Sequence, residues 1–358
     1  MDKINGLKIS CDWLSFTIST YDTVYDFMDG IGFTPDMFKK MNKGAQGYKN
    51  MLRHKSHEIT ILYEGNETMG IHCDVKGSAV VYFLEIFAER AMVNTPFDSK
   101  AWEVNDFDGF SDAMSFFYKF VLENGWFTRL DLAVDDVGCS YFSCEELRDI
   151  LYARNYTALF RTWSTDIEYN TDSASALKGY TVYCGSRQSG IFLRVYDKKL
   201  EQQKKNPEKY YDAWVRWEFE LKDEHADAFA KHILNKHAFG DSVVSLLNGF
   251  LRLIVPDDSN RSRCSTLPKW EKFLSGVGKL RLSGFKKKRT VEKSLRWIEK
   301  QCMPTIAGLC VANGGTLDFI TKNLIEHFNR LSAADKEVYS SYLYDNYGIE
   351  LKENGYDN

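Results

Sequence analysis

Gly179-Tyr180-Thr181-Val182-Tyr183-Cys184, then Gly185-Ser186-Arg187-Gln188-Ser189-Gly190, then Ile191-Phe192-Leu193-Arg194-Val195-Tyr196-Asp197-Lys198-Lys199 is the stretch that decides the fold. Its outer parts are rich in β-branched and aromatic residues and its middle in turn residues, so it reads as a β-hairpin. Side chains alternate along a strand, which puts Ile191, Leu193, Val195 and Asp197 on one face and Phe192, Arg194, Tyr196 and Lys198 on the other. Tyr196 therefore stands between two cations. A free phenol titrates near ~10 and is a poor nucleophile at neutral pH. Flanking positive charge favours the phenolate and would hold a phosphate beside it. The same pattern also fits a half-buried strand tyrosine among ordinary surface charges.

Two neighbouring stretches repeat the alternation. In Trp214-Val215-Arg216-Trp217-Glu218-Phe219-Glu220-Leu221-Lys222, Trp217, Phe219 and Leu221 face one way, and Arg216, Glu218, Glu220 and Lys222 the other. In Phe127-Thr128-Arg129-Leu130-Asp131-Leu132-Ala133-Val134-Asp135-Asp136, Leu130, Leu132 and Val134 oppose Arg129, Asp131, Ala133 and Asp135. If the three are neighbours in one antiparallel sheet, their polar faces make a single site. Asp131 and Asp135 share a face, and like charges brought together call for a proton or a cation; a hard divalent ion suits carboxylate oxygens. The competing reading pairs Arg129 with Asp131 on an exposed face. A further carboxylate, Asp12, interrupts the apolar strand Ile9 to Ile18 and is either paired, metal-bound or at an edge.

Outward from this centre, Glu58 to Tyr63, Met69 to Val75 and Ala79 to Glu85 read as strands of a meander. Ser111-Asp112 opens a helix that Gly125 ends, and Ser143-Cys144-Glu145-Glu146 caps another. After Asp223 the spacing is helical: Glu224 to Asn235, Ser242 to Ile254, Thr290 to Ala312 (with Pro304 as a kink), Leu317 to Arg330 and Ser332 to Tyr344. The expected division is a β-rich core, residues 1–222, and a helical C-terminal region, residues 223–358, with 358 residues enough for a substantial core. The composition, 44% hydrophobic and 27% charged, is that of a globular chain. No apolar run reaches the ~20 residues of a membrane span, so a cytoplasmic protein without a membrane partner is expected.

The eight cysteines form no CxxC pair, and reduced structural thiols are expected. No HxH or HExxH occurs, and His54 and His57 read as a solvated pair rather than metal ligands. The net charge of −4 conceals a segment, Lys279 to Lys300, with nine basic residues against two acids. Lys286, Lys287, Lys288 and Arg289 are its densest run. Such a patch on an acidic chain is the electrostatic footprint of a polyanion, usually nucleic acid.

In order along the chain, Asp12-Trp13-Leu14-Ser15-Phe16-Thr17, Arg129 to Asp136, Tyr183 to Ser189, Arg194 to Glu201 and Val215 to Glu220 resemble the Rep_trans family. These are rolling-circle replication initiators of small plasmids of Gram-positive bacteria, with the related relaxases of integrative conjugative elements. The resemblance implies an α+β fold: an antiparallel sheet like that of the HUH nucleases, without their histidine pair, with helices packed on it and an α-helical C-terminal part. It implies origin-specific DNA nicking and joining, with Tyr196 as the nucleophile of a 5′-phosphotyrosine link and a free 3′-hydroxyl that primes synthesis. Arg194, Lys198 or Arg187 would hold the phosphate or tune the phenol. Mg²⁺ or Mn²⁺ would sit on Asp131 and Glu218 first, then Asp135 and Glu220, with Asp12 in reserve. The implied partners are single-stranded or cruciform origin DNA, a host helicase, and a second copy of the chain, since plasmid members act as dimers. Trp214 and Trp217 are candidates for stacking on bases, or for the core.

A reading from a different class is a non-catalytic, sequence-specific DNA-binding protein that uses the sheet as a platform. Carboxylates facing phosphate without a metal count against it. A structural or regulatory protein that binds no nucleic acid fits the acidic balance but leaves the basic segment unexplained.

Overall fold

The computed structural model describes residues 6–94, 110–171, 177–234 and 239–278, and beyond them 298, 303–316, 318, 336 and 339–340. The chain divides into two compact units, Met1–Gly284 and Phe285–Asn358. Of the second unit, the described part is chiefly the helix Met303–Ala312, with Pro304 in its first turn, where a missing N–H costs nothing. Lys286, Lys287, Lys288 and Arg289, and most of the Lys279 to Lys300 segment, lie outside the described residues.

The first unit is built on a ten-stranded antiparallel sheet. Its strands are β1 (Leu7–Ile18), β2 (Phe38–Lys40), β3 (Asn50–His54), β4 (Ile59–Tyr63), β5 (Ile71–Lys76), β6 (Gly125–Val137), β8 (Trp163–Tyr169), β9 (Leu177–Cys184), β10 (Ile191–Asp197) and β11 (Trp214–Lys222). Their order is β2-β3-β4-β5-β1-β6-β11-β10-β9-β8. The three alternating stretches are thus neighbours, with β11 between β6 and β10. Arg194 lies opposite Glu218, and Glu220 opposite Asp131. A small second sheet pairs β7 (Tyr156–Ala158) with β12 (Leu251–Leu253).

Period-2 alternation gives the sheet an apolar face. Leu130, Leu132 and Val134 of β6, Leu193 and Val195 of β10, and Trp217, Phe219 and Leu221 of β11 all lie in one core cluster. The other strands and helices α1 (Val24–Gly30), α2 (Ala79–Asn94), α3 (Phe110–Asn124), α4 (Cys144–Tyr152), α6 (Glu224–Leu234), α7 (Phe239–Phe250) and α8 (Pro268–Gly278) add to it. Trp217 packs against Trp270 and Phe273 of α8 at ring-centroid distances of 5.5 and 5.2 Å, so it is core rather than a stacking platform. Helices α6, α7 and α8, which follow Lys222, share this core with the sheet.

Four local readings need correction. Ala79 to Glu85 is the start of helix α2, not a strand: Val80, Phe83, Leu84 and Phe87 are buried at helical spacing, and the β-branched pair Val80-Val81 conforms to that packing. The helix expected over Ser242 to Ile254 stops at Phe250, where Leu251–Leu253 pairs with β7. His54 and His57 are half-buried rather than freely solvated: their rings meet at 4.9 Å, and His57 stacks on Tyr82 at 3.7 Å. Gly125 begins β6 rather than only ending a helix, because a Cβ there would lie 1.8 Å from the Thr17 carbonyl oxygen. Seven cysteines are described and all are free thiols. Among the described residues no helix is long and apolar enough to cross a membrane.

Candidate active site

Tyr196 is the last-but-one residue of β10, before Asp197 caps helix α5 (Lys198–Lys205) by accepting from the Leu200 N–H at 2.9 Å. The strand-to-helix junction fixes Lys198 over the tyrosine, with its Nζ 3.3 Å from the phenolic oxygen. From β11, Glu218 Oε2 accepts the phenol's hydrogen at 2.8 Å. Glu218 Oε1 accepts from Arg194 Nη2, which also lies 3.7 Å from Asp131 Oδ2. Arg129 binds Asp131 through two bonds of 2.7 Å and reaches Glu220 Oε2 at 2.8 Å. Lys222 meets the other Glu220 oxygen at 2.8 Å. Tyr196, Glu218, Asp131, Glu220, Arg194, Arg129 and Lys198 thus form one connected polar cluster.

The cluster is buried, which sets its electrostatics. Burial first, then the neighbouring Glu218 and Glu220 charges, push Asp131 up to about 6 against the pull of Arg129. Glu220 is held below the ordinary carboxylate range: burial would raise it, but the Lys222 hydrogen bond and the charges of Arg129, Lys222 and Arg194 prevail. Tyr196 departs from expectation. Burial and the Glu218 carboxylate push its phenol well above its ordinary value, with Arg216 the opposing influence. Lys198 does little for it because its ammonium pairs with Glu201. Burial alone would raise Glu201, yet Lys198 and Lys205 bring it down to about 2. The resting tyrosine is a neutral phenol that donates to Glu218.

Of the remaining candidates, Asp135 and Asp12 are held by Arg216, which lies across the strand pair from Tyr196. Arg216, 7% exposed, gathers Asp135 with bonds of 2.7 and 2.8 Å and also binds Asp12; Trp214 Nε1 adds a bond of 2.6 Å to Asp135. Asp135 and Asp12 therefore belong to a second ion cluster, four residues along β6 from Asp131, or roughly 13 Å at strand rise. Arg187 is in the hairpin turn, its guanidinium 5.9 Å from the Tyr183 and Phe192 rings and away from Tyr196. Asp136, fully buried, accepts from the Ser140 and Tyr141 N–H groups at 2.9 and 2.8 Å and holds a turn. The Arg129–Asp131 pair that the sequence offered as the competing reading is present, though buried, whereas sequence reading gave no role to Arg216, which the alternation had already placed on the polar face.

Three carboxylates from two adjacent strands facing shared guanidinium groups are a donor set that suits a hard cation. Among the described residues no three such side chains are already arranged around one ion site; the oxygens that would serve are engaged by Arg129 and Arg194.

With the antiparallel sheet and its buried polar face described, the class follows from comparison with known proteins. The chain belongs to the replication initiation factor family, Rep_trans, whose model matches residues 125–324. It is 26% identical over 300 residues to a Bacillus subtilis (strain 168) protein assigned as a DNA relaxase, NicK, covering 82% of this chain and 78% of that one. A solved rolling circle replication initiator protein from Geobacillus stearothermophilus has the same fold. The two match with a TM-score of 0.62 at 25% identity, over 78% of this chain and 99% of that one.

Proposed function

We propose that the protein nicks and rejoins one DNA strand at an origin of replication or transfer, with Tyr196 as the nucleophile. The carrying observation is the Tyr196–Glu218 hydrogen bond of 2.8 Å inside a buried, cation-rich cluster. The phenolic oxygen attacks the scissile phosphorus, and its proton passes to Glu218 Oε2. The bond from phosphorus to the 3′-oxygen breaks, and that oxygen leaves and is protonated to a 3′-hydroxyl. The 5′-phosphotyrosine keeps the phosphodiester energy, so the reverse attack reseals the strand without ATP. Arg194 and Lys198, beside the phenol, bind and orient the phosphate. Mg²⁺ or Mn²⁺, held by Asp131, Glu218 and Glu220 in place of a guanidinium, would polarise the phosphate oxygens and neutralise charge in the transition state.

A binding-only platform is the second reading, and one observation favours it. The acids of this face are paired with arginine or lysine, so phosphate meets a neutralised surface even without metal. The two readings part at Tyr196→Phe. With single-stranded DNA and Mg²⁺ or Mn²⁺, wild type should give cut strands and the variant none, while both bind DNA alike. Cutting by the variant at the wild-type level removes the tyrosine from the mechanism; no cutting by wild type under either metal favours the platform.

A further inference from the structure

On the same face of the sheet, a polar cleft of about 520 Å³ opens beside β1 and β5, and the reaction just described does not use it. Trp13, Tyr48, His72, Asp74, Lys76 and Arg129 are among its walls. We propose that this cleft reads one unstacked guanine of the single strand whose phosphate meets Tyr196. The proposal rests on the DNA-processing reading only for the substrate's class.

Asp74 is the reader. Its side chain is 11% exposed, and the bonds that fix it, from Ser15 Oγ and from Trp13 Nε1 at 3.3 Å, both go to Oδ1, with His72 Nε2 3.6 Å from the same oxygen. Among the described residues Oδ2 has no donor. Burial would raise Asp74, but the adjoining His72 and the bond from Ser15 prevail and bring it down to about 2, so it is ionised and can only accept. Thr128 Oγ1, also in the cleft wall, is buried without a partner among the described residues. An acceptor open to the cleft and a buried hydroxyl, both without a partner among the described residues, mark a place for a ligand that supplies donors.

The walls suit a base. Tyr48 stacks over His72 at 6.1 Å and 25°, and an aromatic wall of this kind holds bases taken out of a stack. Lys76 and Arg129 sit 4.1 and 3.7 Å from the Trp13 ring, so cations line the mouth where backbone phosphates would run. Arg129 joins the cleft to the catalytic cluster, because the same guanidinium binds Asp131 and Glu220. In the strand order β5, which carries Asp74, is four places from β10, roughly 19 Å at the usual strand spacing, so the base read is some nucleotides from the scissile phosphate.

Guanine is the base an ionised carboxylate prefers. Its Watson–Crick edge presents N1–H and N2–H side by side. Adenine and cytosine each set a ring-nitrogen acceptor beside their amino group, and thymine flanks one N–H with two carbonyls, so each opposes a carboxylate with a lone pair.

The test equilibrates the full-length protein, wild type and Asp74→Asn, with random-sequence single-stranded DNA in EDTA, and sequences the retained strands. Wild type should enrich guanine at one position, and the variant should lose that enrichment alone. Because Asp74→Asn also disturbs the Ser15 and Trp13 bonds, a second measurement leaves the protein intact. Inosine, which lacks N2–H, replaces that guanine in an enriched strand, and wild-type affinity should fall about tenfold. An unchanged profile in the variant, a different base at the Asp74-dependent position, or full affinity for the inosine strand overturns the proposal. Adduct formation on the same strands with Mg²⁺ is scored separately. Its absence beside a guanine preference would sink the nicking reading and leave the pocket standing.

Discussion

Arg216→Met should cost the protein more stability than any other single change on the polar face. Arg216 is 7% exposed, and its guanidinium makes three contacts to carboxylate oxygens, two on Asp135 and one on Asp12. Met fills most of the same volume, so packing is largely kept and charge is what changes. Asp135, 4% exposed, is left with the Trp214 N–H as its remaining side-chain donor among the described residues. Removing one partner of a buried pair strands the other charge, at about 3–5 kcal/mol. At about 2 °C per kcal/mol for a unit of this size, the melting temperature falls by about 6–10 °C. Thermal unfolding followed by circular dichroism at pH 7 reads it. Adding Asp135→Asn to Arg216→Met removes the stranded charge and should restore more than half of the loss. A loss under about 2 °C, the scale of an exposed ion pair, would refute the buried-cluster account. So would a double variant no more stable than the single one.

Three further outcomes follow from the same geometry. Asp74, held at about 2 against an ordinary value near 3.8, stabilises the fold above the unfolded value and loses that contribution as pH falls through the folded one. The stability gap between wild type and Asp74→Asn, of order 2 kcal/mol near neutrality, should therefore close between about pH 4 and pH 2 in urea titrations; a gap that does not change with pH would show that Asp74 carries no such linkage. Mg²⁺ or Mn²⁺ in millimolar excess should raise the melting temperature of wild type by preferential binding to the folded state, and Asp131→Asn with Glu218→Gln should abolish the rise. An equal rise in both proteins would place the ion elsewhere. Trp217→Ala, a fully buried change against Trp270 and Phe273, should cost about 3–5 kcal/mol in chemical denaturation, and a surface-like loss below 1 kcal/mol would remove Trp217 from the core.

Much of the centre was legible because β-strand alternation has a period of two and admits few errors. Leu193 and Val195, and Trp217, Phe219 and Leu221, could face only the core once their strands were recognised, and that forced Arg194, Tyr196, Glu218 and Glu220 to the opposite side. What pairs with what was less legible. Asp131 and Asp135 share a face, but the sequence does not say that each has its own arginine from a different position, so one shared volume became two ion clusters. The cations beside Tyr196 suggested an acidified phenol, whereas burial and the Glu218 charge act the other way, and burial is a tertiary property. Ala79 to Glu85 was misread because its apolar residues carry strand propensity, and packing of Phe83 and Phe87 against α3 overrides it. The cleft under Trp13 was invisible, since Ser15, His72 and Asp74 come together only through the β1–β5 register.

The central claim is that Tyr196 carries the DNA. The most direct measurement incubates wild-type protein with single-stranded DNA and Mg²⁺ or Mn²⁺, denatures it, digests the DNA, and locates the modified peptide by mass spectrometry. A nucleotide attached through phosphate to Tyr196, absent from Tyr196→Phe, is the predicted result. An adduct on another residue, or strands cut with no covalent protein attached, would contradict it.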